Sequence, residues 1–246
     1  MKLFKPLLLL LLFALAPQAL ADSSFLGDVE NIISNTSLSG RVLQLFALIT
    51  IFGLAPSILI MTTSFVRIVI VLSIARTAIG LQQSPPNQMM VSLALFLTLF
   101  IMYPTFEEAY TDGLQPMLNE VITEDEALHI IVKPFKKFML AQTRKKDIDL
   151  FSSIAKIHIT DEIDSVPLKV VVPSFMISEL RKGFEIGFLI FLPFIIIDIV
   201  VASVLMAMGM MMMPPVMIAL PFKIIFFVLI DGWYLLAGSL VQSFGT

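Results

Sequence analysis

The chain has 246 residues, of which 58% are hydrophobic and only 14% are charged. Because soluble domains are nearer half apolar and a quarter charged, this composition predicts an integral membrane protein. The formal net charge is −3 and no basic patch with interleaved aromatics is evident, which argues against nucleic-acid binding, and the lack of cysteine excludes disulfides and thiolate sites.

The first 21 residues have the pattern of a secretory signal peptide. Lys2 and Lys5 precede an apolar run, and residues 19–21 read Ala-Leu-Ala, a small-residue cleavage pattern, before Asp22. The run is short for a membrane span, so cleavage is favoured over an uncleaved anchor. The mature chain would then begin outside the cytoplasm of a bacterium, with a polar lead-in over residues 22–41.

Residues 42–104 predict a first helical hairpin. Its first arm is apolar as far as Leu81, and at about 1.5 Å per residue such a helix is roughly twice as long as a hydrocarbon core is thick. A polar turn that contains Pro85 and Pro86 follows, and a shorter apolar arm returns over residues 89–103. The two arms are therefore unequal.

Residues 105–173 carry most of the charge and predict a small helical region that faces water. Thr123 with Glu126 three residues later is the capping-box pattern of a helix start. Pro134 is expected to interrupt that helix, because proline removes a backbone donor and crowds the preceding turn. With the N-terminus outside and two arms crossed, this region would also be extracytoplasmic.

Residues 174–246 predict a second hairpin, opened by Pro173, since proline suits a first helical turn. Its turn is a second proline pair, Pro214 and Pro215. The fold class is thus an all-α membrane protein with two long helical hairpins and a small helical extracytoplasmic region between them.

The turn of the second hairpin is preceded by an unbroken row of methionines. The row consists of Met210, Met211, Met212 and Met213. Four successive residues cannot all face one stripe of a helix, and methionine repacks around partners of varied shape. We therefore interpret this tip as a soft functional rim rather than as apolar filler in a membrane helix.

Several ionisable residues lie inside the apolar arms, where charges are costly and usually paired. Lys223, just past the methionines, is predicted to pair with a carboxylate of a neighbouring copy, Glu179 in the first place and Glu185 as the alternative. Asp198 is interpreted as half of a structural ion pair rather than as a proton relay, because no second relay group is evident. Arg67 lies among hydroxyl residues, which favours burial between helices.

No catalytic or metal-binding constellation is evident, so we predict no enzyme activity, cofactor or metal. The two histidines are His129 and His158. His158 with Asp161 falls short of the three or four ligands that metal sites usually need. No phosphate-binding glycine loop or nucleophile elbow is visible.

Three segments of the chain resemble the FliP family, which provides the P subunit of the flagellar protein-export gate and has relatives in injectisomes. They are residues 54–67 (LAPSILIMTTSFVR), residues 84–88 (SPPNQ) and residues 209–223, with GMMMMPP and LPFK. The resemblance covers about residues 42–244. The signal peptide is closer to the flagellar branch, and Met213 departs from the family pattern, in which an aliphatic residue follows a methionine triplet.

The resemblance implies a function that composition alone does not give. Five copies would assemble with the FliQ and FliR subunits into a conical complex, much of it above the membrane plane. The methionine tips would line its pore as a gasket around exported flagellar proteins. The complex would dock with FlhA and FlhB, use the FliO assembly factor and support the rod proteins.

The resemblance also implies a location, in the inner membrane and on its periplasmic side, in contact with lipid and within the flagellar basal body.

The competing interpretation of the function is a secondary transporter of a small solute. Two broken hairpins and charges within the membrane suggest it.

Overall fold

The structure is a computed structural model. It describes residues 46, 49, 50, 53, 54, 57–81, 83–157, 166–210 and 213–245. The chain divides into two compact units, residues 1–57 and 58–246. In the first unit the described residues are helical, and the Thr50 hydroxyl donates to the Phe46 carbonyl at 2.7 Å. The predicted signal peptide and lead-in, His158, Asp161, Met211 and Met212 lie outside the described residues.

The described part of the second unit is helical and contains no strand, which confirms the all-α fold class. The helices are α1 (Phe65–Ile79), α2 (Asn87–Ala109), α3 (Gln115–Leu118), α4 (Glu124–Gln142), α5 (Lys145–Ala155), α6 (Leu168–Ala207), α7 (Pro215–Leu229) and α8 (Gly232–Gln242), and a π-helical segment, Tyr110–Leu114, joins α2 to α3. The first hairpin consists of α1 and α2, and the second of α6 to α8.

Within the part of the chain that the structure describes, two helical stretches are long and apolar enough to cross a membrane. One is Asn87–Leu118, with 32 residues, and the other is α6, with 40 residues. The pair α7 and α8 passes the same test together but is bent by 62°. At the bend Asp231 has φ +52°, and the backbone of Gly232 lies against the Phe227 ring.

Pro104, Pro134 and Pro173 lie inside helices, which corrects three predicted boundaries. The second arm does not end near Pro104, because α2 continues to Ala109. Likewise α6 begins at Leu168 rather than at Pro173, and α4 runs through Pro134. A proline inside a helix loses one backbone hydrogen bond. Burial of Pro134 in the packing of α4 shows how tertiary contacts offset that loss.

The predicted start of α4 is confirmed at Thr123. The Thr123 hydroxyl accepts the Glu126 backbone N–H, and the Glu126 carboxylate accepts the Thr123 backbone N–H at 3.1 Å. These reciprocal bonds satisfy two donors that a helix start otherwise leaves unpaired. The backbone hydrogen bond from Thr123 also holds the pKa of Glu126 below its ordinary value.

Helix α1 is the centre of the packing. Ile68 and Val71 are fully buried, and they belong to a core cluster that includes Ala94 of α2. On the α6 side, Gly183 and Gly187 let the two backbones approach closely. A Cβ built on Gly187 would lie 2.3 Å from Cδ1 of Ile74 and 3.1 Å from its Cγ2.

Replacing Gly187 with leucine should therefore separate α1 from α6. We expect a loss of about 1–3 kcal/mol, typical of overpacking a filled core, measured by thermal unfolding of the purified protein in detergent. Gly238→Leu is the matched control, because a Cβ there meets nothing within 4 Å. Equal stability of the two variants would contradict the close contact.

Candidate functional site

The tip of the second hairpin lies between α6 and α7. Gly209, with φ +75°, turns the chain after α6. The Met210 N–H then donates to the Leu205 carbonyl at 3.0 Å, and the Met213 N–H donates to the Met210 carbonyl at 3.4 Å. Pro214 is extended and precedes Pro215, the first residue of α7. The proline pair thus starts the returning helix.

The described methionines of this tip are exposed in the single chain. Met210 and Met213 are 38% and 42% exposed. Met208, just before the tip, and Met217, just after it, are 66% and 72% exposed. The tip therefore presents flexible thioether side chains rather than burying them in the chain's own core.

A groove of about 650 Å³ runs between α6 and α7 behind the tip. Its lining consists of aliphatic and aromatic side chains, among them Ile196, Val204 and Phe222. Polar solutes need convergent hydrogen-bonding groups in their sites. This groove is instead suited to apolar contacts.

Arg67 on α1 lies at the centre of a buried polar network. Its Nε donates to Glu179 Oε2 at 2.8 Å and its Nη2 to Glu179 Oε1, and both side chains are at most 1% exposed. Its Nη1 donates to the backbone carbonyl of Ser243 and its Nη2 to Gln142 Oε1, at 3.0 and 3.1 Å. The Phe244 ring covers the guanidinium, with its centroid 3.6 Å from Cζ. This network joins α1, α4, α6 and the segment after α8.

Within the single chain, Glu179 and Lys223 each have a partner other than the one predicted for them between copies. Lys223 Nζ lies 2.6 Å from Asp198 Oδ2 and 3.2 Å from the Ala78 carbonyl, at the end of α1. Glu179 and Asp198 are separated by about 28 Å along α6, at roughly 1.5 Å per residue. Lys223 therefore cannot reach Glu179 of its own chain. Asp198 is thus half of an ion pair with Lys223.

The turn of the first hairpin is braced by an arginine that sequence reasoning missed. Arg76 Nη1 donates to the Pro85 carbonyl at 3.1 Å and to Asn87 Oδ1 at 2.6 Å. Pro86 precedes the first residue of α2. The available signal was an arginine close in sequence to a proline pair and an asparagine, since turn carbonyls withdrawn from water need donors.

Asp147 fixes the junction between α4 and α5 onto α6. Its carboxylate accepts from Arg144 Nε and Nη2 at 2.8 and 2.9 Å and from the Ser178 hydroxyl. The Ser174 hydroxyl donates to the backbone carbonyl of Asp147 at 3.1 Å. Burial disfavours the charged carboxylate, but the bonds from Ser178 and Arg144 outweigh it and hold the pKa of Asp147 below its ordinary value. Asp147 is thus ionised and paired at neutral pH.

Among the residues that the structure describes, no group of three or more His, Cys, Asp or Glu side chains is placed to hold a metal ion. The buried charges of Arg67 and Glu179 are instead paired between helices, as are Lys223 and Asp198.

Comparison with known proteins identifies one family over most of the chain. The model of the FliP family matches residues 48–240. A flagellar biosynthetic protein FliP from Caulobacter vibrioides is 57% identical over 214 residues, which cover 87% of this chain and 80% of the relative. The protein of that name from Bacillus subtilis is 53% identical over 217 residues, or 88% of this chain and 95% of the relative. That from Rhizobium meliloti is 52% identical over 225 residues, or 90% and 91%.

Replacing Glu179 with glutamine should leave Arg67 buried without a counter-charge. Removing one partner of a buried ion pair costs about 3–5 kcal/mol, so we expect a large fall in the thermal unfolding temperature in detergent. Glu185→Gln is the control, because its pair with Arg181 is exposed and such pairs contribute at most about 1 kcal/mol. A Glu179→Gln variant as stable as Glu185→Gln would show that the network contributes little.

The lowered pKa of Asp147 predicts a dependence of stability on acid. The ionised Asp147 carboxylate, paired with Arg144, stabilises the fold. This stability is fully present above the ordinary carboxyl pKa of about 3.9 and is lost as pH falls through the lower pKa of the folded state. Asp147→Asn should therefore be less stable than the unsubstituted chain at pH 7, and the difference should shrink below pH 4. Acid titration of the unfolding temperature measures this, and a difference that stays constant with pH contradicts it.

Proposed function

Because the chain belongs to the FliP family, we propose that it is a pore-forming core subunit of the flagellar type III export gate. Its relatives carry the name flagellar biosynthetic protein. In this role the chain has no catalytic step of its own. It would let unfolded flagellar proteins cross the inner membrane toward the growing flagellum.

The observation that carries this proposal is the exposed methionine tip. Tips of several copies around one axis form a ring of thioethers, which is apolar enough to resist water and ions when closed. Methionine changes rotamer at low cost, so the ring can close around chains of any sequence. A ring of branched or aromatic side chains would fit one shape better and others worse.

The proposed assembly contains five copies of the chain with FliQ and FliR, as the resemblance implies. The apolar faces of α6 and α7 support such an assembly, since Ile196, Ile199, Val216 and Phe222 are each more than half exposed in the single chain. FlhA, FlhB, FliO and the rod proteins complete the proposed set of partners. Residues 1–21 would be removed before assembly. Residues 105–173 would lie on the periplasmic side.

A small-solute transporter is less well supported by the same geometry. Its site should combine an apolar pocket with a few convergent polar groups, whereas the groove between α6 and α7 is apolar. Asp198 and Lys223 pair with each other. The mass of the purified particle separates the two functions, because a gate requires a large hetero-oligomer and a transporter works as a monomer or dimer.

Replacing Met210, Met211 and Met212 together with alanine should leave assembly intact and make the membrane leaky. We expect packing between helices to survive, since Met210 is 38% exposed, whereas the ring of thioethers would lose its seal. Assembly is measured by the mass of the purified complex, and the leak by ion conductance of cells that overproduce it.

The matched control replaces Met61, Met89 and Met117 with alanine, which removes as many thioethers away from the tip. This control should assemble and remain sealed. A tip variant that fails to assemble without a leak would identify the methionines as packing residues, and one that assembles and stays sealed would assign the seal to another element.

A further inference from the structure

A cluster of basic residues lies at one level of the fold, where the junction of α4 and α5 contacts α6. We call it the basic belt; its members are Arg144, Lys145, Lys146, Arg181 and Lys182. The Arg144 backbone N–H donates to Ser178 Oγ at 3.1 Å, and Lys182 Nζ donates to the Gln142 carbonyl at 2.8 Å. These two bonds hold the belt's two sequence segments side by side.

The belt is only partly neutralised by the carboxylates around it. Asp147 pairs with Arg144, and Glu185 forms an exposed pair with Arg181. Two further carboxylates lie nearby: Glu179 is buried against Arg67, and Asp149 is exposed on α5, three residues after Lys146. Together they leave the five cations of the belt in excess. Lys145 and Lys146 are both exposed at the start of α5. The belt therefore presents cationic side chains to its surroundings.

An exposed apolar band begins directly beyond the belt on α6. Phe184, Phe188 and Leu189 are 60%, 60% and 64% exposed. Phe184 and Phe188 lie three and seven residues after Arg181, and Leu189 lies seven residues after Lys182, spacings that share a helix face. Leu189 is roughly 10 Å beyond Lys182 along the axis. Arg181 and Lys182 therefore border a largely apolar surface on a stretch long and apolar enough to cross a membrane. The one carboxylate in this part of the surface, Glu185, is paired with Arg181.

We propose that the basic belt binds the headgroups of anionic phospholipids, with their acyl chains against the band formed by Phe184, Phe188 and Leu189. Lysine and arginine attract lipid phosphates and lie at the boundary of the bilayer, where their aliphatic stems contact the apolar region. An acidic segment of a partner protein would satisfy the cations but not the adjoining aromatic and aliphatic surface. This lipid site does not depend on whether the chain forms a pore.

The test uses the full chain purified in detergent and its single tryptophan, Trp233, as the unfolding signal. Phosphatidylglycerol added to the micelles should raise the unfolding temperature with saturation, and uncharged phosphatidylcholine should not. The variant Lys145→Gln/Lys146→Gln should weaken the apparent affinity for phosphatidylglycerol roughly 25-fold, since each cation near an anionic surface contributes about fivefold. Lys145→Arg/Lys146→Arg should retain it, and raised salt should weaken it.

The matched control is Lys137→Gln/Lys169→Gln, which removes two exposed lysines away from the belt and should bind as the unsubstituted chain does. Three results would overturn the proposal. They are no response to phosphatidylglycerol, an equal loss of affinity in the control, and equal stabilisation by inorganic phosphate without lipid. The last result would indicate a site for free anions rather than for a lipid surface.

Discussion

The arrangement of the chain depends on burying the guanidinium of Arg67 away from water. A buried arginine needs a counter-charge and acceptors for its several N–H groups, or it destabilises the fold by several kcal/mol. Glu179 supplies the charge, while Gln142, Ser243 and the Phe244 ring supply the remaining contacts. Since these partners come from separate helices, satisfying one side chain fixes the relative position of both hairpins and the region between them.

A second ion pair repeats this solution at the other end of α1. Lys223 joins Asp198 of α6 and the carbonyl of Ala78, one of the last carbonyls of α1 that has no partner within its own helix. Between the two pairs, Gly183 and Gly187 bring the backbones of α1 and α6 together. Helix α1 is thus fixed near its start, its middle and its end against the same long helix.

Features that depend on local pattern could be predicted from the sequence. Composition gave the membrane class, and Thr123 with Glu126 gave the start of α4. The continuation of helices through Pro104, Pro134 and Pro173 could not be predicted from local pattern. At Pro134, which is buried, tertiary packing offsets the lost hydrogen bond, and such packing is not visible in the sequence.

The partners of the buried charges were beyond sequence reasoning for the same reason. Glu179 lies 112 residues from Arg67, and no periodicity relates the two positions. Hydrophobic patterning identifies which arms contain charges, but the helix crossings decide which charges meet. The bend at Asp231 was similarly hidden in a continuous apolar run, marked only by the Asp231-Gly232 pair.

The distance in sequence between Arg67 and its last partner sets an order on biogenesis. Ser243 is made 176 residues after Arg67, a delay of roughly 10 to 35 s at bacterial rates of translation. During that interval the ribosome has delivered the first hairpin without the groups that surround its arginine. The contacts of Arg67 therefore close only after the second hairpin has been synthesised, so the first hairpin cannot complete its packing by itself.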